Sequence, residues 1–100
     1  MNALVKAPYE VRLNGPLDAD TVTGLRPELD ALVDAAWSPV TLNLSEVEFL
    51  DSSGVGAIIF LYKRLTLQGR TLKLIAVHGQ PLSLLRYLRI DVAVPVSAES

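Results

Sequence analysis

The chain has 100 residues, half of them hydrophobic and a fifth charged, which suffices for one small packed core and hardly for two domains. It contains no cysteine and one histidine, His78, which excludes disulfides, cysteine nucleophiles and zinc sites built on cysteine or histidine. Its net charge of −2 provides no general attraction to nucleic acid or anionic lipid.

The N-terminal part of the chain predicts two strands. Residues 2–6 are expected to form a short strand that turns at residues 7–8 and pairs with the next one. Residues 9–14 alternate between polar and apolar side chains and stop at Gly15 and Pro16, which is the pattern of a half-buried strand.

A first helix is predicted from apolar residues that recur at helical spacing over residues 22–36. We expect Asp20, Thr21 or Thr23 to cap it, because short oxygen-bearing side chains are favoured before a first helical turn. Pro27 weakens the prediction, since proline is tolerated only in a first turn or at a kink.

The remainder of the chain alternates between strands and helices. The predicted elements are a strand at 40–44, a helix at 55–68 that stops at Gly69, a strand at 72–77, a short helix at 81–88 and a last strand at 92–96. Strands separated by helices predict an α/β fold in which helices cover the sheet.

Charge is distributed unevenly along the chain. Residues 1–51 carry three basic and nine acidic side chains, whereas residues 52–100 carry six basic and two acidic ones. Such an imbalance could give a partner an oriented field to dock against.

Membrane insertion and export are not expected. The longest apolar run, at residues 55–62, is far shorter than the roughly 20 residues that a membrane span needs. The N-terminus has no apolar stretch as long as that of a signal peptide. We therefore expect a cytoplasmic protein.

Side-chain oxygens are concentrated between the strand at 40–44 and the helix that follows it. The Asp-Ser-Ser-Gly segment consists of Asp51, Ser52, Ser53 and Gly54. One interpretation is that Ser52 or Ser53 caps the helix, while Gly54 and Gly56 allow close packing. The other is that one serine is an exposed modification site, where a phosphate would bring nearly two negative charges to a helix N-terminus beside Asp51.

Catalytic and nucleotide-binding patterns fit the chain poorly. The segment lacks the Gly-x-Ser-x-Gly pattern of a hydrolase elbow and the lysine of a P-loop, and Ile59 stands where a Rossmann fingerprint has its third glycine. Asp18 and Asp20 are interpreted as cap and turn residues rather than as an acid/base pair. A hydrolase that pairs a serine of the segment with His78 stays open as an alternative, although an exposed turn histidine is the more usual case.

Residues 42–56 closely resemble the STAS domain of bacterial anti-sigma factor antagonists. Residues 15–18, Gly-Pro-Leu-Asp, resemble the Gly-x-Leu-Asp segment that follows an early strand in that family. The order of strands and helices agrees from about residue 9 to 96. The resemblance implies a single STAS-like domain over residues 1–100, with a small mixed β-sheet of about four to five strands packed with about three helices.

The resemblance also implies a mechanism without catalytic residues, cofactor or metal in this chain. In that family the serine after the aspartate is the phosphoacceptor, which corresponds to Ser52. The kinase is the anti-sigma factor, which uses ATP, and a PP2C-type phosphatase reverses the reaction. The unphosphorylated antagonist binds the anti-sigma factor and so releases a sigma factor for transcription.

The resemblance assigns partner binding to the same surface. The implied partner-binding residues are Asp18, Asp51, Ser52, Ser53 and Gly54. Ser53 is expected to cap the helix and to shape the loop, and Asp51 to supply fixed negative charge beside the phosphoacceptor.

One departure from the family suggests a second function. The chain stops at Ser100, soon after the last predicted strand, where many members continue into a final helix. In this it is similar to the STAS subunits of lipid-trafficking ABC transporters, although those commonly carry Thr-Gly-Gly at the segment. The alternative is therefore a transporter-associated interaction subunit without a phospho-switch.

Overall fold

The computed structural model of the protein describes residues 2–6, 10–35 and 39–99. Within these ranges the chain forms four strands and four helices. They are β1 Asn2–Lys6, β2 Glu10–Asn14, α1 Ala19–Asp34, β3 Val40–Glu46, α2 Ser52–Leu67, β4 Leu72–Ile75, α3 Gly79–Tyr87 and α4 Ile90–Ala93. The predicted turn at residues 7–8 lies outside the described residues.

The strands form one mixed sheet in the order β1-β2-β3-β4. β1 pairs antiparallel with β2, whereas β2, β3 and β4 run parallel to one another. Val40, Leu42 and Leu44 of the central strand are all buried, and because they stand two residues apart they line one face of the sheet and pack into the core. The predicted α/β architecture with a small mixed sheet is confirmed.

The two long helices contribute the largest share of the helical core. Their buried apolar residues recur every three or four positions, so each helix turns one stripe inward. These residues are Leu25, Leu29, Leu32 and Val33 of α1, and Val55, Ile58, Leu61 and Leu65 of α2. None of the helices in the described ranges is long and apolar enough to cross a bilayer.

Both long helices begin three residues before the predicted positions. α1 begins at Ala19 rather than at residue 22, and α2 begins at Ser52 rather than at residue 55. The first turn of each helix is polar or small, so the apolar spacing carries no signal there. Pro27 lies inside α1 rather than in its first turn, at an exposed position where water can reach the carbonyl that loses its helical donor.

The predicted last strand at residues 92–96 is wrong, whereas the three helices α1, α2 and α3 agree with the prediction of about three. The described chain instead closes a short fourth helix, because the Val94 N–H donates to the Ile90 carbonyl at 2.9 Å. The alternation of valines was misleading, since Val92 is 81% exposed. Pairing with β4 begins only afterwards, where Val96 forms a parallel bridge with Leu74.

Candidate functional site

The loops that follow β2 and β3 are joined by one further parallel bridge, between Leu17 and Leu50. The Leu17 N–H donates to the Phe49 carbonyl at 2.9 Å, and the Asp51 N–H donates to the Leu17 carbonyl at 3.2 Å. Both leucines are buried. Asp18 follows Leu17 and Asp51 follows Leu50, so the bridge places the two aspartates at the starts of two neighbouring helices.

Asp51 is the N-cap of α2. Its Oδ1 accepts hydrogen bonds from the Ser53 N–H at 2.8 Å and from the Gly54 N–H at 3.1 Å. The prediction that Ser52 or Ser53 caps this helix is therefore wrong. The aspartate one position earlier reaches the second and third amides of the helix, which are the usual donors to a cap.

Asp18 caps α1 in the same way, which confirms its interpretation as a cap residue and shows that Asp20, Thr21 and Thr23, the other predicted caps, are wrong. Its Oδ1 accepts from the Asp20 N–H at 3.1 Å and the Thr21 N–H at 3.0 Å. Thr21 completes a capping box, because its Oγ1 accepts from the Asp18 N–H at 3.0 Å. The hydrogen bond from the Thr21 N–H is the main cause that lowers the pKa of Asp18 below its ordinary value of 3.8.

Gly54 occupies the position in α2 that Thr21 occupies in α1. A Cβ atom there would lie 2.5 Å from the Leu17 carbonyl oxygen and 2.5 Å from Leu50 Cδ1. The third position of α2 must therefore lack a side chain. Without a partner like Thr21 there, the N–H of the cap residue Asp51 donates to the Leu17 carbonyl. Close packing, predicted for both glycines, holds for Gly54 and is wrong for Gly56, which has no atom within 4 Å of its Cβ position.

Ser52 is the first residue of α2, and its side chain is exposed. Ser53, the next residue, is only half-buried and gives its N–H to Asp51. The arrangement presents the Ser52 hydroxyl to solvent at the positive end of a 16-residue helix.

Gln80 is part of the site, although no sequence pattern singled it out. Its Nε2 donates to the Leu50 carbonyl at 2.7 Å, and its Oε1 accepts from the Leu50 N–H at 2.8 Å. The contact joins the start of α3 to the residue just before Asp51, across a sequence separation of 30 positions. A single glutamine in the sequence gives no local signal of such a contact.

A surface pocket of about 270 Å³ lies beside the segment. It is lined by Gly15, Pro16, Glu46, Glu48 and Phe49. Phe49 is 46% exposed and stands two residues before Asp51. This pocket, at the ends of β2 and β3, is therefore acidic, with one aromatic ring open to solvent.

His78 does not support a nucleophilic site. It is exposed, and its Nε2 lies 2.9 Å from the Ser45 carbonyl oxygen in β3. A carbonyl can only accept, so Nε2 is the donor in this pair, and the hydrogen bond given for the imidazole goes to β3 rather than to a serine of the segment. Within the described ranges, no group of three or more histidine, aspartate or glutamate residues could hold a metal ion.

Comparison of the sequence with known proteins gives a consistent result. A family model described as the STAS domain matches residues 5–99. An anti-sigma F factor antagonist of Paenibacillus polymyxa is 37% identical over 60 residues, which cover 59% of this chain and 51% of that protein. An anti-sigma-B factor antagonist of Staphylococcus epidermidis is 32% identical over 69 residues, which cover 69% of this chain and 64% of that protein. The matches thus span between half and two thirds of these relatives.

Solved structures share the fold. A crystal structure of a candidate anti-sigma factor antagonist from Thermotoga maritima superimposes with a TM-score of 0.82 at 19% identity, covering 96% of this chain and 84% of that one. The anti-sigma factor antagonist SpoIIAA in its unphosphorylated form gives a TM-score of 0.73 at 20% identity, covering 99% and 87%. At these identities the likeness is one of fold.

Proposed function

The chain belongs to the STAS domain family, and from this premise we propose that it is an anti-sigma factor antagonist whose binding to an anti-sigma factor is switched by phosphorylation of Ser52. Anti-sigma factor antagonists are regulators rather than enzymes, as predicted for this chain. The observation that carries the proposal is an exposed serine hydroxyl at the first residue of α2, directly after the capping Asp51.

Exposure supports Ser52 over Ser53 as the phosphoacceptor. The side chain of Ser52 is open to solvent, whereas Ser53 is half-buried behind it. A kinase must reach the acceptor hydroxyl in line with the phosphate it transfers. In that step the Ser52 oxygen bonds to the γ-phosphorus of ATP, ADP leaves, and the hydroxyl proton passes to a base on the kinase.

The phosphate would alter the docking surface more than the fold. The N–H groups of Ser53 and Gly54 already donate to Asp51, so a phosphate on Ser52 would have to compete with that carboxylate for them. Phosphoserine carries between about 1.5 and 2 negative charges at neutral pH. A group of this charge, next to Asp51 and facing solvent, would lower the affinity for a partner that had to desolvate the phosphate or that carried negative charge opposite it.

The proposed docking surface comprises the starts of α1 and α2, which the bridge between Leu17 and Leu50 holds side by side. Its surface residues are Asp18, Asp51, Ser52 and Ser53, and Gly54 lies buried beneath them, where it lets α2 approach the loop after β2. We propose that the anti-sigma factor is both the binding partner and the ATP-dependent kinase. A PP2C-type phosphatase would hydrolyse the phosphoserine and so restore the binding form.

The test is to incubate the protein with its cognate anti-sigma factor and ATP and to map the phosphate by mass spectrometry. Ser52→Ala should abolish labelling, while the matched variant Ser53→Ala should still be labelled at Ser52. Phosphate on another residue, with a kinase proven active, would remove Ser52 from this role. Partner binding that is indifferent to both ATP and Ser52→Ala would instead favour a constitutive interaction subunit.

A further inference from the structure

The side chain of Gln80 takes the place of a missing strand. The bridge to Leu17 uses the Phe49 carbonyl and the Asp51 N–H, so the N–H and C=O of Leu50 point to the opposite side. β4 ends at Ile75, which pairs with Asn43, well before the level of Leu50. The Gln80 carboxamide fills this position and returns both hydrogen bonds that a neighbouring backbone would make.

The geometry requires a carboxamide. A glutamine side chain has a donor and an acceptor in one plane, which matches the N–H and C=O of a single residue. A glutamate of the same length would keep the acceptor for the Leu50 N–H but would set a second oxygen against the Leu50 carbonyl. Leu50 itself is fully buried, so losing either bond would leave a polar backbone group without a ready substitute from water.

We infer that Gln80 is a positioning residue for the phosphorylation of Ser52, an inference that rests on the proposed function. Gln80 hydrogen-bonds to Leu50 directly, and Leu17 hydrogen-bonds to Phe49 and Asp51, the residues on either side of Leu50. Asp51 follows at once, and its carboxylate fixes the first turn of α2, on which Ser52 stands. Release of Leu50 would let the acceptor hydroxyl move relative to the bound ATP, and misplacement of a reacting group by about 1 Å can cost up to about a hundredfold in rate.

The test compares phosphorylation rates and amide hydrogen exchange among five proteins: the wild type, Gln80→Leu, Gln80→Glu, His78→Ala and Arg70→Met. His78→Ala is a control in the same loop, because His78 contacts Ser45 rather than Leu50. Arg70→Met is a control for lost stability, because Arg70 bonds to the far end of α1. All rates are measured with the cognate anti-sigma factor and ATP, well below the unfolding temperature of every variant.

Gln80→Leu should lower kcat/KM for Ser52 phosphorylation about tenfold or more. It should also speed exchange of the Leu50 amide beyond any general loss of protection, while both controls keep the wild-type rate of Ser52 phosphorylation. Gln80→Glu should lower kcat/KM for Ser52 phosphorylation too, although glutamate and glutamine are of equal size. A wild-type rate in Gln80→Leu, or an equal loss in Arg70→Met, would overturn the positioning role while leaving the proposed function intact. Wild-type protein without phosphate on Ser52 would overturn the proposed function and this inference together.

Discussion

Gly54 is the residue at which α2 comes closest to the loop after β2. Its Cβ position is 2.5 Å from a backbone oxygen and 2.8 Å from the Leu17 Cβ atom, neither of which can move without shifting the bridge to Leu50. The glycine is thus required by contact and not by its backbone angles. The Asp-Ser-Ser-Gly segment therefore divides into a cap, an exposed hydroxyl, a half-buried serine and a packing position.

Gly54→Ala should lower the free energy of unfolding by about 1–3 kcal/mol, the usual cost of adding a methyl group to a filled space. Gly56→Ala is the matched control, two residues further along α2 at an exposed position with open space around it. It should raise stability by up to about 1 kcal/mol, because alanine is the better helix former. Urea unfolding measures both, and equal effects at the two glycines would contradict the packing role of Gly54.

Asp18→Asn should reduce the change in the free energy of unfolding as the pH falls into the acidic range. The folded pKa of Asp18 is lowered, chiefly by the hydrogen bond from the Thr21 N–H, so the charged cap contributes stability above the ordinary value of 3.8. That contribution is lost as the pH falls through the folded pKa. Asparagine caps helices about as well but does not titrate. Urea midpoints of the two proteins should therefore converge below about pH 3.8, whereas a constant difference at all pH values would contradict this role.

At the scale of elements, α1 depends on a residue from outside it. α1 has no basic side chain in its last turn. Arg70, which follows α2, donates from its two terminal nitrogens to the Val33 carbonyl at 2.9 Å and to the Leu32 carbonyl at 3.0 Å. A cation at these carbonyls offsets the negative end of the helix and ties α1 to the end of α2.

Arg70→Met should destabilise the protein by about 1.5–3 kcal/mol, the range for hydrogen bonds that involve a charged group. Methionine keeps much of the length of the side chain and removes only the donors. Lys63→Met, an exposed substitution on α2, is the control and should change stability by less than about 0.5 kcal/mol. Denaturant unfolding gives the two values, and a loss in Arg70→Met no larger than in Lys63→Met would contradict the capping role.

Periodicity predicted which elements exist better than where they end. The interiors of α1 and α2 carry regular apolar stripes, so both helices were predictable. The starts of the two helices were not, because Asp18 and Asp51 stand outside the stripes and compete with five other plausible caps nearby. The prediction of the last strand was wrong for a different reason. The apolar residues at 90–94 close a helical turn, and it is residues 95–99 that form the hydrogen bonds beside β4.

For the whole molecule, the proposed site combines what local sequence reveals with what only the fold brings together. The Asp-Ser-Ser-Gly segment was predictable because its residues are contiguous and resemble a family motif. Gln80 was not predictable, since it reaches Leu50 only because α3 begins beside the end of β3. The surrounding carboxylates come largely from the acidic half of the chain, so a phosphate on Ser52 would add charge to a surface that is already negative.

The most direct test of the phospho-switch is the dissociation constant of the cognate anti-sigma factor, measured against the unphosphorylated protein and against protein phosphorylated at Ser52. Isothermal titration at fixed salt, with ADP or a non-hydrolysable ATP analogue, keeps the two forms distinct. We predict that the phosphorylated form binds at least about tenfold more weakly, which corresponds to about 1.4 kcal/mol of binding free energy. Equal affinity for the two forms would contradict the proposed switch.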